Sequence, residues 1–156
     1  MSHTAEIIAV GTELLLGNIV NTNARDISQA LSAVGVNVFW HTVVGDNPQR
    51  LKDALDVARK RADIIITTGG LGPTYDDLTK QTICEAFGKP LVLHQDILDD
   101  LKVFFEKNVH MKMPSNNLQQ AELPEGCTVF DNPVGTAPVS YKHTRAHETV
   151  LDLVCR

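Results

Sequence analysis

Cysteine, basic charge and long apolar runs are all scarce in this sequence of 156 residues. The cysteines are odd in number and lack the paired spacing of a zinc site; they are Cys84, Cys127 and Cys155. We therefore expect free thiols in a reducing cytoplasm and assign them no chemistry. The chain opens with polar residues and one short apolar run, which predicts neither a secretory signal nor a membrane span.

The net charge of −5 argues against nucleic acid as a partner. Nucleic-acid binding needs a basic stripe, and the longest basic cluster here is only residues 59–61. That cluster falls at the predicted end of a helix, where cations interact favourably with the helix dipole. The composition, with 43% apolar and 21% charged residues, is that of one ordinary globular domain with a hydrophobic core.

Short apolar runs alternate with helical patterns along the chain, which predicts a parallel sheet covered by helices on both faces. The predicted strands are residues 7–10, 36–44, 64–68, 91–93 and 128–130. The predicted helices start after residues 21–23 and at residues 47–48, and two further helices occupy about residues 78–87 and 97–105. Asn47-Pro48 is a strong start signal, because Asn caps a helix and Pro suits its first position.

The most informative segment is the run TTGGLGPTYDDLT at residues 67–79. It follows a buried strand, and three glycines within four residues allow a sharp turn whose N–H groups can bind an anion. Asp76 and Asp77 follow where the next helix should begin. A phosphate cradle beside paired carboxylates suggests Mg²⁺ held against a phosphorylated ligand. The alternative is a plain glycine turn in which Asp76 or Asp77 caps the helix.

Polar or glycine-rich loops follow the first three predicted strands, at residues 11–13, 45–47 and 69–77. Ligands of open α/β sheets bind beyond the carboxyl ends of the strands. We therefore expect these loops to meet at one rim and build a site. The alternative is that each loop only turns the chain.

The same segments resemble the N-terminal domain of CinA proteins, within the molybdopterin-binding superfamily that includes MoaB and Mog. The matching motifs are GTELLLG at 11–17, NTN at 21–23, VGDN at 44–47, residues 67–79 and NPVGTAP at 132–138, with Asn117, Gln120, Ala121, Pro124 and Gly126 between them. The resemblance covers residues 5–138 and implies a three-layer α/β/α fold with a mostly parallel sheet.

The resemblance implies two chemistries. CinA-type domains look like divalent-metal-dependent pyrophosphatases of ADP-ribose or a related nucleoside diphosphate, and Mog-like relatives handle molybdopterin and its adenylylated form. We expect the first; molybdopterin binding or adenylyl transfer, and a non-catalytic nucleotide- or pterin-binding module, are the alternatives. Asp46, Asp76 and Asp77 would hold Mg²⁺, Mn²⁺ or Co²⁺, which would activate a water for attack on phosphorus.

The resemblance also provides candidates for binding the small-molecule ligand. Those expected at the phosphates are Thr68, Gly69, Gly70, Gly72 and Thr74. Glu13 either supports the metal ligands or caps the following segment. Asn21 and Asn23 could bind ligand hydroxyls, although a helix cap explains one of them. Thr136 is expected near the same rim, and relatives of this kind suggest a homo-oligomer.

The resemblance stops at Pro138, and residues 139–156 look like translated vector read-through. We therefore predict a truncated domain over residues 1–138 followed by a non-native tail, with ordered structure ending near Pro138 and no C-terminal amidase domain. The alternative is a native amphipathic helix with Ala146, Val150, Leu153 and Val154 on one face.

Overall fold

A computed structural model of the chain describes residues 3–130, 132, 135–144 and 149–153. Six strands form the main sheet in the order β2-β1-β3-β8-β7-β6. They are β1 (Thr4–Val10), β2 (Asn37–Val44), β3 (Ile64–Thr68), β6 (Thr128–Phe130), β7 (Val139–Thr144) and β8 (Thr149–Leu153). The pairs β1–β2, β1–β3 and β3–β8 are parallel, whereas β6–β7 and β7–β8 are antiparallel.

The remaining elements surround this sheet. The helices are α1 (Thr12–Leu15), α2 (Thr22–Ala33), α3 (Pro48–Ala58), α4 (Thr79–Ala86) and α5 (Gln95–Phe104). A π-helical turn at Phe105–Val109 and a 3-10 helix at Ser115–Ala121 follow α5. Strands β4 (Leu91–Leu93) and β5 (Glu122–Pro124) pair as a separate antiparallel ribbon. In the part of the chain that is described, no helix is long and apolar enough to cross a membrane.

Two hydrophobic cores lie on opposite faces of β1. Ile7 packs with Ala24 of α2, whereas its neighbour Ile8 packs in the cluster that contains Leu51 and Leu55 of α3. Successive side chains of a strand point to opposite faces, so a strand buried on both sides reads as a continuous apolar run. The sequence prediction of a three-layer α/β/α fold with a mostly parallel sheet is confirmed.

Asparagine caps fix the starts of two helices. Asn47 Oδ1 accepts a hydrogen bond from Arg50 N at 3.0 Å, and Pro48 occupies the first turn of α3 as predicted. Asn21 Oδ1 accepts from Ala24 N at 3.1 Å and caps α2. These bonds satisfy backbone donors that the first helical turn leaves unpaired.

The carboxyl-terminal segment differs from the expectation that order ends near Pro138. Strand β7 pairs with β6, and β8 lies between β3 and β7 in the sheet. Residues 149–153 are therefore a strand and not the helix considered above, and Ala146 and Val154 lie outside the described residues. Backbone pairing explains this, because a strand added to the edge of β3 satisfies main-chain groups whatever its side chains. A foreign origin for residues 139–156 remains a prediction.

Candidate functional site

A cavity of about 530 Å³ opens beyond the carboxyl ends of β1 and β3. The loop after β1 lines it, and so does the loop after β3, which we call the glycine loop (residues 69–77). Predicted site residues in its wall are Glu13, Asn21, Asn23, Thr68, Gly69, Gly70, Gly72, Asp77 and Thr136. Three other candidates, Asp46, Thr74 and Asp76, do not line it. Thus two of the three loops expected to converge form the cavity.

The glycine loop crosses the end of β1 at very close range. Gly69 and Gly70 have φ values of +89° and +63°, in the left-handed region that favours glycine. A Cβ on Gly69 would lie 2.0 Å from the carbonyl oxygen of Val10, and one on Gly70 would lie 2.2 Å from Thr79 Oγ1. Only glycine fits at these two positions, which places the loop backbone itself in the cavity wall.

The carboxylate of Asp77 is held at the edge of this cavity. Its Oδ2 atom accepts hydrogen bonds from the backbone N–H of Thr74, at 2.9 Å, and from the Thr74 hydroxyl. A Cβ on Gly72 would lie 2.6 Å from the same oxygen, so glycine leaves the space that the carboxylate occupies. The helix-cap alternative for Asp76 or Asp77 is wrong, since α4 begins at Thr79 and its capping position is Leu78.

The structure does not assemble the three aspartates as one metal site. Asp46 is exposed, and its Oδ2 accepts from Thr12 N at 2.9 Å and Thr12 Oγ1 at 2.8 Å. Asp76 is exposed and outside the cavity wall. Within the described ranges, no three His, Cys, Asp or Glu side chains gather where they could hold a metal ion. The expectation that Asp46, Asp76 and Asp77 share one cation therefore fails in this geometry.

Two carboxylates do line the cavity, Asp77 and Glu13. Glu13 lies on α1, a four-residue helix that the sequence patterns did not reveal. Its Oε1 would be 2.6 Å from a Cβ on Gly11, so this glycine also makes room for a carboxylate. Mg²⁺ favours one or two carboxylates together with substrate phosphates. Of the predicted carboxylates, Glu13 and Asp77 are the two that line the cavity.

Asn21 and Asn23 connect the start of α2 to the cavity. Asn21 caps α2 and also lines the cavity, so its structural and ligand-binding interpretations are compatible. Asn23 Nδ2 donates to Thr68 Oγ1 at 3.0 Å and ties α2 to the end of β3. Asn21 and Asn23 thus both belong to the cavity wall.

Gln120 is a cavity residue to which the sequence assigned no role. It is only 2% exposed, and its Oε1 accepts from Asn117 Nδ2 at 2.8 Å. Its Nε2 donates to Thr136 Oγ1 at 3.3 Å, which links the 3-10 helix to the loop carrying Thr136. The only sequence evidence for a role of Gln120 was that Asn117 and Gln120 match the family motif. Apolar wall residues were also missed; they include Leu14, Ile19, Val20 and Leu71.

The class of protein follows from a match over nearly the whole chain. The family model described as "Probable molybdopterin binding domain" matches residues 6–153, so the chain belongs to this family. The MoaB structure from Pyrococcus furiosus, a tungsten cofactor synthesizing protein, superposes with a TM-score of 0.61 at 18% identity, covering 99% of this chain and 82% of that one. At that identity the likeness shows the fold alone.

Within this family the chain is similar to CinA proteins. The crystal structure of the protein CinA with unknown function from Thermoplasma acidophilum matches with a TM-score of 0.84 and 32% identity, covering 99% of this chain and 88% of that one. A protein of Acetivibrio thermocellus named as competence-damage inducible is 59% identical over 134 residues, which are 86% of this chain. The chain spans about a third of that relative's length, 32%. The predicted CinA resemblance is confirmed.

Proposed function

We propose that this domain is a divalent-metal-dependent nucleotide pyrophosphatase that hydrolyses ADP-ribose or a related nucleoside diphosphate. The observation that carries the proposal is one cavity bounded by the glycine loop and by the carboxylate of Asp77. Backbone N–H groups of such a loop can bind a diphosphate, and a carboxylate beside it suits the cation that a diphosphate brings. CinA-type activity, expected from the sequence resemblance, agrees with these two features.

Different residues of the cavity would bind different parts of this ligand. The glycine loop would bind the diphosphate, because its backbone approaches closely without Cβ atoms in the way. Asn21 and Asn23 would offer amide groups to the hydroxyls of a ribose. The apolar side chains of Ile19 and Val20, 52% and 82% exposed, offer a surface to a base.

Glu13 and Asp77 would hold the divalent cation, Mg²⁺, Mn²⁺ or Co²⁺. When bound, such an ion lowers the pKa of a coordinated water and neutralises charge at phosphorus. Thr74 keeps the Asp77 carboxylate in place through its backbone N–H and its hydroxyl. No histidine lines the cavity among the described residues, so the protein itself offers no imidazole as a general base there.

Hydrolysis of ADP-ribose by the full chain tests this proposal directly. We expect AMP and ribose 5-phosphate to form in the presence of Mg²⁺ or Mn²⁺. Excess chelator should stop the reaction, and renewed addition of the metal should restore it. Turnover that persists in chelator would contradict metal dependence, and absence of turnover with every divalent metal would contradict the enzymatic proposal.

Molybdopterin binding or adenylyl transfer is the second candidate, and the match to the molybdopterin-binding family model favours it. The same glycine loop would then hold the phosphate of the pterin. Binding of molybdopterin by the chain, measured by fluorescence, together with no turnover of ADP-ribose, would favour this candidate. Binding of either ligand without any reaction would favour a non-catalytic module.

We also propose that the domain self-associates, as the sequence resemblance suggests. Sedimentation velocity should show an oligomer at micromolar concentration. A strictly monomeric chain would contradict this proposal without affecting the assignment of the cavity.

A further inference from the structure

Two side chains of the 3-10 helix Ser115–Ala121 donate hydrogen bonds to carbonyl groups of the glycine loop. Gln119 Nε2 donates to the carbonyl oxygens of Gly72 and Thr74, at 3.0 and 3.2 Å. Asn116 Nδ2 donates to the carbonyl oxygen of Pro73 at 3.1 Å. Three consecutive carbonyl groups of the loop are thus held by two amides. We call the side chains of Asn116 and Gln119 the amide clasp.

Thr79 extends the same pattern toward the start of the loop. Its hydroxyl donates to the Gly69 carbonyl at 2.8 Å, and its backbone N–H donates to the Gly70 carbonyl at 3.1 Å. In a trans peptide the carbonyl and the next N–H point in opposite directions, and no cis peptide occurs among the described residues. Holding the Gly69 and Gly70 carbonyls on one side therefore turns the N–H groups of the next residues, Gly70 and Leu71, to the other. Two of the carbonyls that the clasp holds precede Pro73, which has no N–H, and Thr74, whose N–H bonds to Asp77. The clasp therefore acts by keeping carbonyl oxygens turned away from the cavity.

This orientation matters for an anionic ligand. A carbonyl oxygen that faced a phosphate would repel it, whereas an N–H group attracts it. The segment from Gly69 to Thr74 is rich in glycine, so its peptides could otherwise rotate easily. The clasp and Thr79 together restrict that rotation between Gly69 and Thr74, and residues 69–73 of this segment line the cavity.

Lys80 anchors the clasp to the rest of the fold. Its side chain is buried, at 4% exposure, and Nζ donates to the carbonyl oxygens of Gln119, Gln120 and Glu122 at 2.6, 3.3 and 2.8 Å. A buried ammonium is costly unless its donors are satisfied, and here backbone carbonyls satisfy them. The ammonium therefore joins the segment that carries the clasp to α4, the helix that follows the glycine loop.

We propose that Asn116 and Gln119 are positioning residues that hold the glycine loop in its phosphate-accepting conformation, with Lys80 as their anchor. The identity of the ligand rests on the proposed function, but the conformational role does not. The role predicts a local effect: loss of the clasp frees the loop and weakens binding of a diphosphate while the fold persists.

The test uses the full chain with Gln119→Ala and with Gln119→Glu, which keeps the shape but places a carboxylate that cannot donate. The matched control is Gln95→Ala, because Gln95 is an exposed glutamine whose Nε2 donates to Asp99 at 2.9 Å at the start of α5 and does not line the cavity. Amide hydrogen exchange reports the loop without ligand, and calorimetry with inorganic pyrophosphate reports binding. Lys80→Met is a second variant, for which we also expect faster exchange of the loop amides and weaker binding of pyrophosphate.

In both Gln119 variants we expect loop amides to exchange about tenfold faster and pyrophosphate to bind about tenfold more weakly, with β1 amides and the unfolding midpoint nearly unchanged. Gln95→Ala should change neither quantity. Unchanged loop exchange, unchanged affinity, or no pyrophosphate binding by the parent chain would overturn the proposal. If the parent chain binds pyrophosphate but not ADP-ribose, the proposed substrate fails, and the clasp is still judged by its effect on pyrophosphate.

Discussion

The loops after β2 and after β3 each carry an aspartate that accepts two hydrogen bonds from one threonine. Asp46 accepts from the N–H and the hydroxyl of Thr12, and Asp77 accepts from the N–H and the hydroxyl of Thr74. Only Asp77 lines the cavity. A carboxylate held by a threonine in a polar loop is thus not by itself a sign of a ligand site. What distinguishes Asp77 from Asp46 is that it lines the cavity.

The backbones of the two loops also differ in how tightly they are packed. Gly69 has positive φ, and a Cβ there would lie 2.0 Å from a main-chain oxygen. Gly45 has no such constraint on φ, and a Cβ there would lie 3.3 Å from the side chains of Leu15 and Thr12. Glycine is therefore required by geometry in the loop that builds the cavity, but much less so in the loop beside it.

The largest expected difference between the loops is catalytic. Asp77→Asn keeps the shape and the acceptor oxygen but removes the charge, so we expect ADP-ribose hydrolysis to fall on the order of 100-fold. Asp46→Asn makes the same change outside the cavity and should cause a much smaller loss, as should Asp76→Asn. Initial rates at saturating metal measure this, with circular dichroism as the control for folding. Equal losses of hydrolysis rate in Asp46→Asn and Asp77→Asn would support the original prediction that the three aspartates share one metal ion.

The second difference concerns stability. We expect Gly69→Ala to lower the free energy of unfolding by more than about 2 kcal/mol, because the methyl group meets the Val10 carbonyl and φ is unfavourable. Gly45→Ala needs only small shifts of two side chains and should cost less than about 1 kcal/mol. Urea unfolding of both variants measures the pair. A tolerated Gly69→Ala would show that the loop does not cross β1 as described.

Two asparagine caps give a smaller and more selective comparison. Asn21→Ala and Asn47→Ala each remove one capping bond, so each should cost about 1 kcal/mol of stability. Only Asn21 lines the cavity, and only its loss should also weaken ADP-ribose binding. Thermal unfolding and calorimetry separate the two effects. A similar drop in affinity for Asn47→Ala would mean that the loop after β2 contacts the ligand.

The smallest expected effect concerns Cys84 on α4, just beyond the glycine loop. Burial raises the pKa of this thiol to about 11, so it stays protonated at pH 8 and should react slowly with iodoacetamide. Because the folded pKa is raised, its contribution to stability is present below pH 9 and is lost as the pH rises toward 11. Mass spectrometry of the alkylated chain should give the same slow rate in Asp77→Asn. A faster rate there would mean that the substitution opens α4.

Features encoded by neighbouring residues could be predicted from the sequence. The Asn47-Pro48 start, the apolar strands and the glycine loop all depend on short patterns, and the structure places them where those patterns indicate. The part of the cavity wall that the glycine loop forms could be predicted for the same reason. The CinA family resemblance supplied Thr136, which no local pattern would have indicated.

Features that depend on distant partners could not be predicted. Asp46 is held by Thr12, 34 residues away, and a sequence pattern gives no hint of that bond. The amide clasp acts over a similar gap, since Asn116 and Pro73 are 43 residues apart. Strands β7 and β8 were missed because main-chain pairing, which any sequence can make, places them in the sheet.

A titration of the ¹⁵N-labelled chain with ADP-ribose and Mg²⁺ tests the central claim most directly. We predict that amide shifts concentrate in residues 11–14, in residues 19–23 and in the glycine loop, while residues 45–47 remain unperturbed. Perturbation centred on residues 45–47, or spread over a different face of the sheet, would contradict the cavity as the ligand site.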